Sequence, residues 1–272
     1  MSPLLRLESL ARRIFGDGDR APGWFPRKLH RECVDATLSR VLVRDDADPT
    51  DPDAWLGYAL VGRPPSLPFT ARTVGIGLVP EARGRGHGRA LVHAIVDAAR
   101  DRGFRRLIVP AERSIVPFYA ALGFHQHRRV QTLLHFGCGT HDTIEFGTPR
   151  DWDDAPGTVV AAWLREAWNR TDPALRATAR WDGSTFHLAR EGVAIVCHRC
   201  VVDPTRSPQS AATTFDTLRS LVRDGTPLIV VHGDAVSSIT AALRDRGWVA
   251  VQHASTMHLD LDRVDKPSAR GG

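Results

Sequence analysis

Lysine is nearly missing from this chain: of 272 residues only Lys28 and Lys266 are lysines, so the net charge of +5 rests on arginine. That imbalance points to a GC-rich coding background as the source of much of the basicity. Blocks of Lys and Arg interleaved with aromatics are lacking too, which argues against a nucleic-acid partner, whereas a moderate positive balance suits a phosphate-bearing small molecule. No apolar run approaches bilayer-spanning length, and the opening MSPLLRLESLARRIF is amphipathic and too polar for a secretory signal. A cytoplasmic protein with no membrane partner is expected. Cysteine is sparse, at positions 33, 138, 197 and 200, and does not form the pattern of a secreted disulfide framework. Cys197 and Cys200 bracket His198 as a CxxC, but no second CxxC or HxxxH follows, so no metal site is expected. They lie in the strand-like GVAIVCHRCVV, where residues three apart point to opposite faces, and are read as structural.

The chain is long enough for one large domain or two of ordinary size and has ample apolar residues for a core. Helical spacing predicts helices over 4–15 and, after the break GDGDRAPGW, over 27–36. Strands are predicted over 39–44, 55–62 and 73–79, separated by the acidic DDADPTDPD and the proline-bearing RPPSLPFTA. Leu91, Ala94, Ile95 and Ala98 mark the buried face of a helix over 90–102, closed by Gly103. A short strand over 106–109, a helix over 113–122 ending at Gly123, and a strand over 130–136 complete the first half.

Between the third strand and the third helix runs LVPEARGRGHG. Gly84, Gly86 and Gly88 let the backbone approach a bulky anion without a Cβ clash. The amides that open the next helix lack intrahelical acceptors and sit at the positive end of its dipole, so they suit a phosphate or diphosphate. Arg83, Arg85 and Arg89 add side-chain charge, and His87 is read as an exposed side chain whose amide does the binding.

Arg83, Gly86 and Gly88 fill the signature R/Q-x-x-G-x-G/A, and FYAALGF, Phe118 to Phe124, follows after one helix and one strand. With both motifs in order, residues 1–140 resemble the GNAT superfamily of acyl-CoA N-acyltransferases. The resemblance implies an α/β (α+β) fold with a mixed, mainly antiparallel sheet flanked by helices. It implies that the strands before the loop and after its helix splay apart, and that acyl-CoA lies in the gap. Leu78 and Val79 would then pair with the pantetheine arm, and Gly84, Arg85, Gly86, His87, Gly88 and Arg89 would cradle the diphosphate, with Arg83, Arg85 and Arg89 as outer contacts. Tyr119 matches the family's general acid for the departing thiolate, a phenol of similar basicity. Acetyl-CoA, or another short acyl-CoA, is the implied co-substrate and a small-molecule primary amine the acceptor. The strand TVGIGLV carries no carboxylate to serve as base. Glu112, where the family often has asparagine, is a candidate to accept a proton or hold a cationic substrate. Glu81, His30, Glu32, His125, His127 and His135 are read as surface residues, and a base relayed by water stays open.

The second half repeats the order. DWDDAPGTVVAAWLREAW reads as a helix, ARWDGSTFHLAR and GVAIVCHRCVV as one strand each, and PQSAATTFDTLRSLVRDG as a helix. A strand in TPLIVVHGD, a helix in AVSSITAALRDRGW and a strand in VAVQHASTMHLDL follow. VVDPTRSPQSAA stands where the glycines would be, Pro204 and Pro208 remove amides, and no tyrosine precedes Gly247. Two GNAT-like domains in tandem are expected: a catalytic one over 1–140, a degenerate copy over 141–265 that closes the acceptor side, and a flexible tail over 266–272. Trp152, Trp163, Trp168, Trp181 and Trp248 are read as an inter-domain core, with an aromatic substrate wall as the alternative. The implied function is transfer of an acetyl or other short acyl group to an amine by direct attack, in a monomer or homodimer binding one CoA per chain. The acidic DDADPTDPD hints at a cationic acceptor such as an amino sugar or polyamine. The alternatives are a decarboxylase or carrier S-acyltransferase on the same fold, and an acyl-CoA-binding regulator.

Overall fold

A computed structural model of the chain describes residues 2–16, 22–150, 152, 159–181, 183–202 and 205–262. The expected tail over 266–272, Pro204 and residues 153–158 of the helix predicted to open the second half lie outside the described residues. In chain order the elements are α1 (Pro3–Phe15), α2 (Trp24–Arg31), β1 (Arg40–Val43), β2 (Trp55–Gly62), β3 (Thr70–Leu78), α3 (His87–Asp101), β4 (Arg106–Glu112), α4 (Val116–Ala120) and β5 (His125–Phe136). They continue with α5 (Val159–Asn169), β6 (Arg176–Trp181), β7 (Ser184–Glu191), β8 (Ala194–Val201), α6 (Pro208–Ser220), β9 (Pro227–Asp234), α7 (Ser238–Asp245) and β10 (Val249–Asp260). Two compact units result, one of Met1–Pro110, Pro117–His125 and Met257–Gly272, the other of Ala111–Val116 and Gln126–Thr256.

In the first unit the strand order is β1-β2-β3-β4 followed by the end of β10. β1, β2 and β3 are antiparallel neighbours, and β3 pairs in parallel with β4. α1 starts where the Ser2 side chain accepts the Leu5 amide at 3.3 Å, ahead of Pro3, and it buries Leu10, Ala11 and Ile14. A Cβ at Gly77 of β3 would overlap the Ile14 side chain, so glycine is what allows α1 to lie so close to the sheet. Phe25, Tyr58 and Leu60 fill the same core. α3 buries Leu91, Val92, Ile95, Val96, Ala98 and Ala99, and full burial of a side chain such as Leu91 or Ile95 stabilises by about 1.5–3 kcal/mol. α2 stops at Arg31, short of the predicted end. Cys33 takes φ 52° and Val34 bridges to Gly62, so the sheet edge captures the chain before another turn can form.

The second unit has the order β10-β5-β9-β8-β7-β6, with α5, α6 and α7 around it. ARWDGSTFHLAR is not one strand but a tight hairpin, in which Trp181 pairs with Ser184 and Gly183 takes φ 71°. Trp152, Trp168, Trp181 and Trp248 pack into clusters within this unit. Trp248 is buried with Phe186 and Phe215, and Trp181 stacks on Phe186 at 4.6 Å. Trp152 and Trp168 form a second cluster around His187, at centroid distances of 4.8 Å and 5.0 Å. The cysteine geometry also departs from simple alternation. His187 pairs with Arg199 but Leu188 with Cys197, which leaves His198 as an extra, bulged residue. Cys197 and Cys200 therefore pack against the same core, as free thiols. Burial pushes the Cys197 thiol up to about 12 and Cys200 well above the ordinary range, so both are inert at neutral pH.

Candidate active site

β3 and β4 pair only through Thr70–Arg106, Ala71–Leu107 and Arg72–Ile108, although β3 continues to Leu78 and β4 to Glu112. The cause lies in β3 itself. Against β2, Gly75 pairs with Leu60 but Thr73 with Val61, so Val74 is an extra residue in the strand. A bulge bends its strand and sharpens the twist. Here it falls immediately after the last β3–β4 pair and turns β3 away from β4, opening a gap lined by backbone groups.

The end of β3 is fixed before the glycines begin. The Val79 amide donates to the Leu56 carbonyl at 2.9 Å, and the Val79 carbonyl accepts from Ala82 at 3.0 Å, closing a short turn over Pro80–Ala82. Arg83 Nε donates to the Leu78 carbonyl at 3.1 Å. The signature arginine is thus bonded to the strand end, and both backbone groups of Val79 are engaged.

Gly84 and Gly86 then take φ 76° and 83°, the left-handed region in which a side chain is strained. Gly86 is the N-cap of α3 and supplies no capping side chain, and the first helical bond runs from the Ala90 amide to the Gly86 carbonyl at 3.1 Å. Among the described residues no backbone carbonyl accepts from the amides of Gly84 through Arg89. These donors lie at the positive end of a fifteen-residue helix beside the exposed Arg83, Arg85 and Arg89, with no carboxylate between Arg83 and Arg89. Such a set fits a diphosphate.

The second motif meets the first. A Cβ at Gly88 would lie 3.7 Å from the Phe118 ring and 3.8 Å from a Leu78 methyl, so the start of α3, the end of β3 and α4 converge. Tyr119, the next residue on α4, is 6% exposed, and its ring lies 5.1 Å from Phe118 and 5.5 Å from Phe124, edge to face. Burial pushes its phenol up to about 12. It therefore stays protonated at any physiological pH, and it is a weaker acid than the thiol-like basicity expected from sequence.

Glu112 ends β4 with an exposed carboxylate, in the segment Ala111–Val116 that clusters with the second unit. Glu81 lies 3.4 Å from Arg13. His30, His125 and His127 are exposed, and His135 belongs to the second unit, where burial and then Arg219 lower its pKa. Glu32 is not a surface residue. It pairs with Arg72 at 3.1 Å, each side chain 14% exposed. This pair sits at the last β3–β4 register position and next to Cys33, the only described non-glycine residue with positive φ. An arginine near the start of a predicted strand was its one sequence signal. Among the described residues no group of three or more His, Cys, Asp or Glu side chains could hold a metal ion, and no helix is long and apolar enough to cross a membrane.

The second unit repeats the strand geometry but not the donors. β8 and β9 pair in parallel only through Ile195–Leu228, Val196–Ile229 and Cys197–Val230, and the His198 bulge follows at once. At α6, the Ser207 side chain accepts the Ser210 amide at 3.1 Å and Pro208 fills the first helical position. That helix end is closed.

Comparison with known proteins agrees with this geometry. Residues 6–124 match the model of the acetyltransferase (GNAT) family. A stretch of 54 residues, 20% of this chain, is 35% identical to a glucosamine 6-phosphate N-acetyltransferase of Trypanosoma brucei brucei and spans only 37% of that protein. A proposed acetyltransferase of Pyrococcus horikoshii superposes over 94% of this chain and 85% of its own, with a TM-score of 0.65 and 12% identity. A tandem GNAT protein from the clavulanic acid biosynthesis pathway superposes over 96% of this chain and 94% of its own, with a TM-score of 0.54 and 15% identity. At such identities the likeness is one of fold. Residues 6–124, somewhat under half of the chain, are thus similar to the acetyltransferase (GNAT) family, and over nearly its whole length the chain shares the fold of the tandem GNAT protein.

Proposed function

We propose that the chain is an N-acyltransferase that moves an acetyl or other short acyl group from CoA to the primary amine of a small molecule, using the first unit. The observation that carries this reading is the run of unengaged amides from Gly84 to Arg89, set between a diverging strand pair and Tyr119. CoA supplies an acyl group activated as a thioester. The loop amides hold its diphosphate, Arg85 and Arg89 add exposed charge, and Arg83 keeps the loop in shape through Leu78. The β3 edge beyond Arg72 offers backbone groups to an extended pantetheine arm, at Leu78 in particular. Tyr119 donates a hydrogen bond to the leaving sulfur; with a phenol pKa near 12, this bond stabilises the departing thiolate rather than transferring a proton ahead of bond cleavage. No carboxylate lies on β3, so the amine loses its proton to water or to Glu112. The degenerate copy over 141–265 takes no part in the chemistry, which belongs to the catalytic domain over 1–140. An amino sugar is the first acceptor to test, on the strength of the trypanosomal relative and the acidic DDADPTDPD.

Tyr119→Phe tests the reading directly. Steady-state turnover with acetyl-CoA and glucosamine 6-phosphate, or an acceptor found by mass-spectrometric screening, should fall about 10²–10⁴-fold, with CoA affinity changed less than about twofold. Unchanged turnover would remove Tyr119 from the chemistry. Failure of every amine despite tight CoA binding would favour an acyl-CoA-binding regulator.

A further inference from the structure

One row of the first unit's sheet crosses four segments of the chain. Val34 bridges to Gly62, Gly62 pairs with Arg72, and Arg72 pairs with Ile108. It is the last row in which β3 and β4 meet, and the Val74 bulge follows at once. Leu60, two residues before Gly62, packs under α1, so Arg72 faces α1 and α2. Glu32, which ends α2, meets it from that face: Arg72 Nη1 donates to Glu32 Oε2 at 3.1 Å. We propose that Glu32 and Arg72 are positioning residues, which hold the root of the strand gap and so fix the acyl thioester against Tyr119. The inference rests on the acyl-CoA reading above and goes beyond it by giving a role to a pair that acts through the strands rather than by touching the reacting atoms.

Three observations carry it. The pair is largely buried, each side chain 14% exposed, and an apolar pair of similar volume would stabilise a fold as well or better. Stability alone does not account for it. What guanidinium and carboxylate add is a fixed distance and angle, whereas apolar contact is non-directional. Cys33, beside Glu32, holds φ 52°, a region strained for a residue with a side chain. Its amide donates to the His30 carbonyl at 3.1 Å, and its carbonyl accepts from the Arg63 amide at 2.9 Å. The end of α2 is thus tied to the row twice, by Cys33 at Arg63 and by Glu32 at Arg72. The third observation is leverage. Beyond Arg72, β3 stays paired with β2 but has lost β4, so β2 and β3 turn together about this row. Leu78 lies six residues on, about 20 Å by strand rise, so a tilt of about 3° moves it by about 1 Å. A misplacement of that size can lower a rate by about 10²-fold.

Three variants of the full chain test it. Glu32→Gln breaks the pair, Glu32→Leu with Arg72→Met replaces it by apolar side chains, and Leu38→Ala destabilises a buried position outside the row. With acetyl-CoA and glucosamine 6-phosphate, or an acceptor found by screening, Glu32→Gln should lower kcat about ten- to a hundredfold. CoA affinity by calorimetry should change less than about threefold, since the loop amides are untouched. The double variant should regain the resistance of the unaltered chain to urea but not its kcat, and Leu38→Ala should lose stability and keep kcat within about twofold. A kcat that returns with stability, or that Glu32→Gln leaves unchanged, overturns the proposal. Amide hydrogen exchange gives a readout that needs no turnover. Glu32→Gln should quicken exchange about tenfold or more over residues 70–72 and 106–108, which join β3 to β4, and leave α3 unchanged; an equal rise in both means a merely structural pair. Should the unaltered chain bind no CoA and acetylate no amine, the acyl-CoA reading falls. Local quickening at the row would then still uphold the pair as what holds the gap, and uniform quickening would overturn that too.

Discussion

α3 and α6 stand at the same point of their two units. Each follows a strand that pairs in parallel with the next for three residues and then bulges, at Val74 in one case and His198 in the other. What differs is the state of the helix end. Gly86 caps α3 with a left-handed backbone and no side chain, leaving its first amides without acceptors, whereas at α6 Ser207 satisfies the Ser210 amide and Pro208 has none to satisfy. A helix end without internal partners is costly unless water or a ligand meets it, and a self-capped one is stable alone. The second unit therefore shares the strand geometry of the first and lacks its open amides, a difference confined to a few residues.

The sharpest way to break this contrast is to transplant it. Gly86→Ser combined with His87→Pro gives α3 the cap of α6, and CoA affinity should fall by about a hundredfold or more, since each lost hydrogen bond to a charged group is worth roughly 1.5–3 kcal/mol. Calorimetry checks it, and retained affinity would mean that the amides do not hold the cofactor. Next in size is the buried Glu32–Arg72 pair of the first unit. Glu32→Gln leaves Arg72 buried beside a neutral amide and should cost about 3 kcal/mol in denaturant unfolding. A loss under about 1 kcal/mol would show that the pair is solvated in practice.

The third expectation concerns alkaline pH. The Tyr119 phenol rises from an ordinary 10 to about 12 in the folded chain, so the fold favours the protonated form. Its contribution, about 3 kcal/mol, is complete below pH 10 and is lost as pH climbs through 12. Cys197 of the second unit acts in the same direction from 9 to about 12. Tyr119→Phe should therefore flatten the fall of stability above pH 10 without abolishing it; an unaltered slope would place the effect elsewhere. The smallest effect is one of reactivity. A thiol reagent should label the exposed Cys138 in the native state and reach Cys197 and Cys200 only on unfolding.

The elements carrying the site were largely legible, because their signals are local. β2 spans the predicted 55–62, Gly103 and Gly123 end their helices with φ 75° and 86°, and the glycine loop opens a helix as its spacing requires. α3 begins earlier than predicted, at His87, since a left-handed Gly86 can cap a helix without any capping side chain. The hairpin in ARWDGSTFHLAR carried its own Asp-Gly signal, which the continuous alternation around it masked. The bulges at Val74 and His198 were not legible. A bulge is a mismatch of two strands and is written in neither alone, and the facing of Cys197 and Cys200 depends on one. The Glu32–Arg72 pair was hidden for a related reason: it joins positions forty residues apart in sequence, and the surrounding charges look the same whether solvated or buried.

One feature of the first unit bears on how the chain is made. Beside β4, Arg106 is held by Asp260 at 3.0 Å, the Leu261 amide donates to the Arg105 carbonyl at 2.8 Å, and Leu259 lies against Gly123. The unit with the glycine loop is thus finished by almost the last described residues to leave the ribosome. Its sheet cannot be completed during synthesis of the first half, so the unit that carries the glycine loop is the first begun and the last to close.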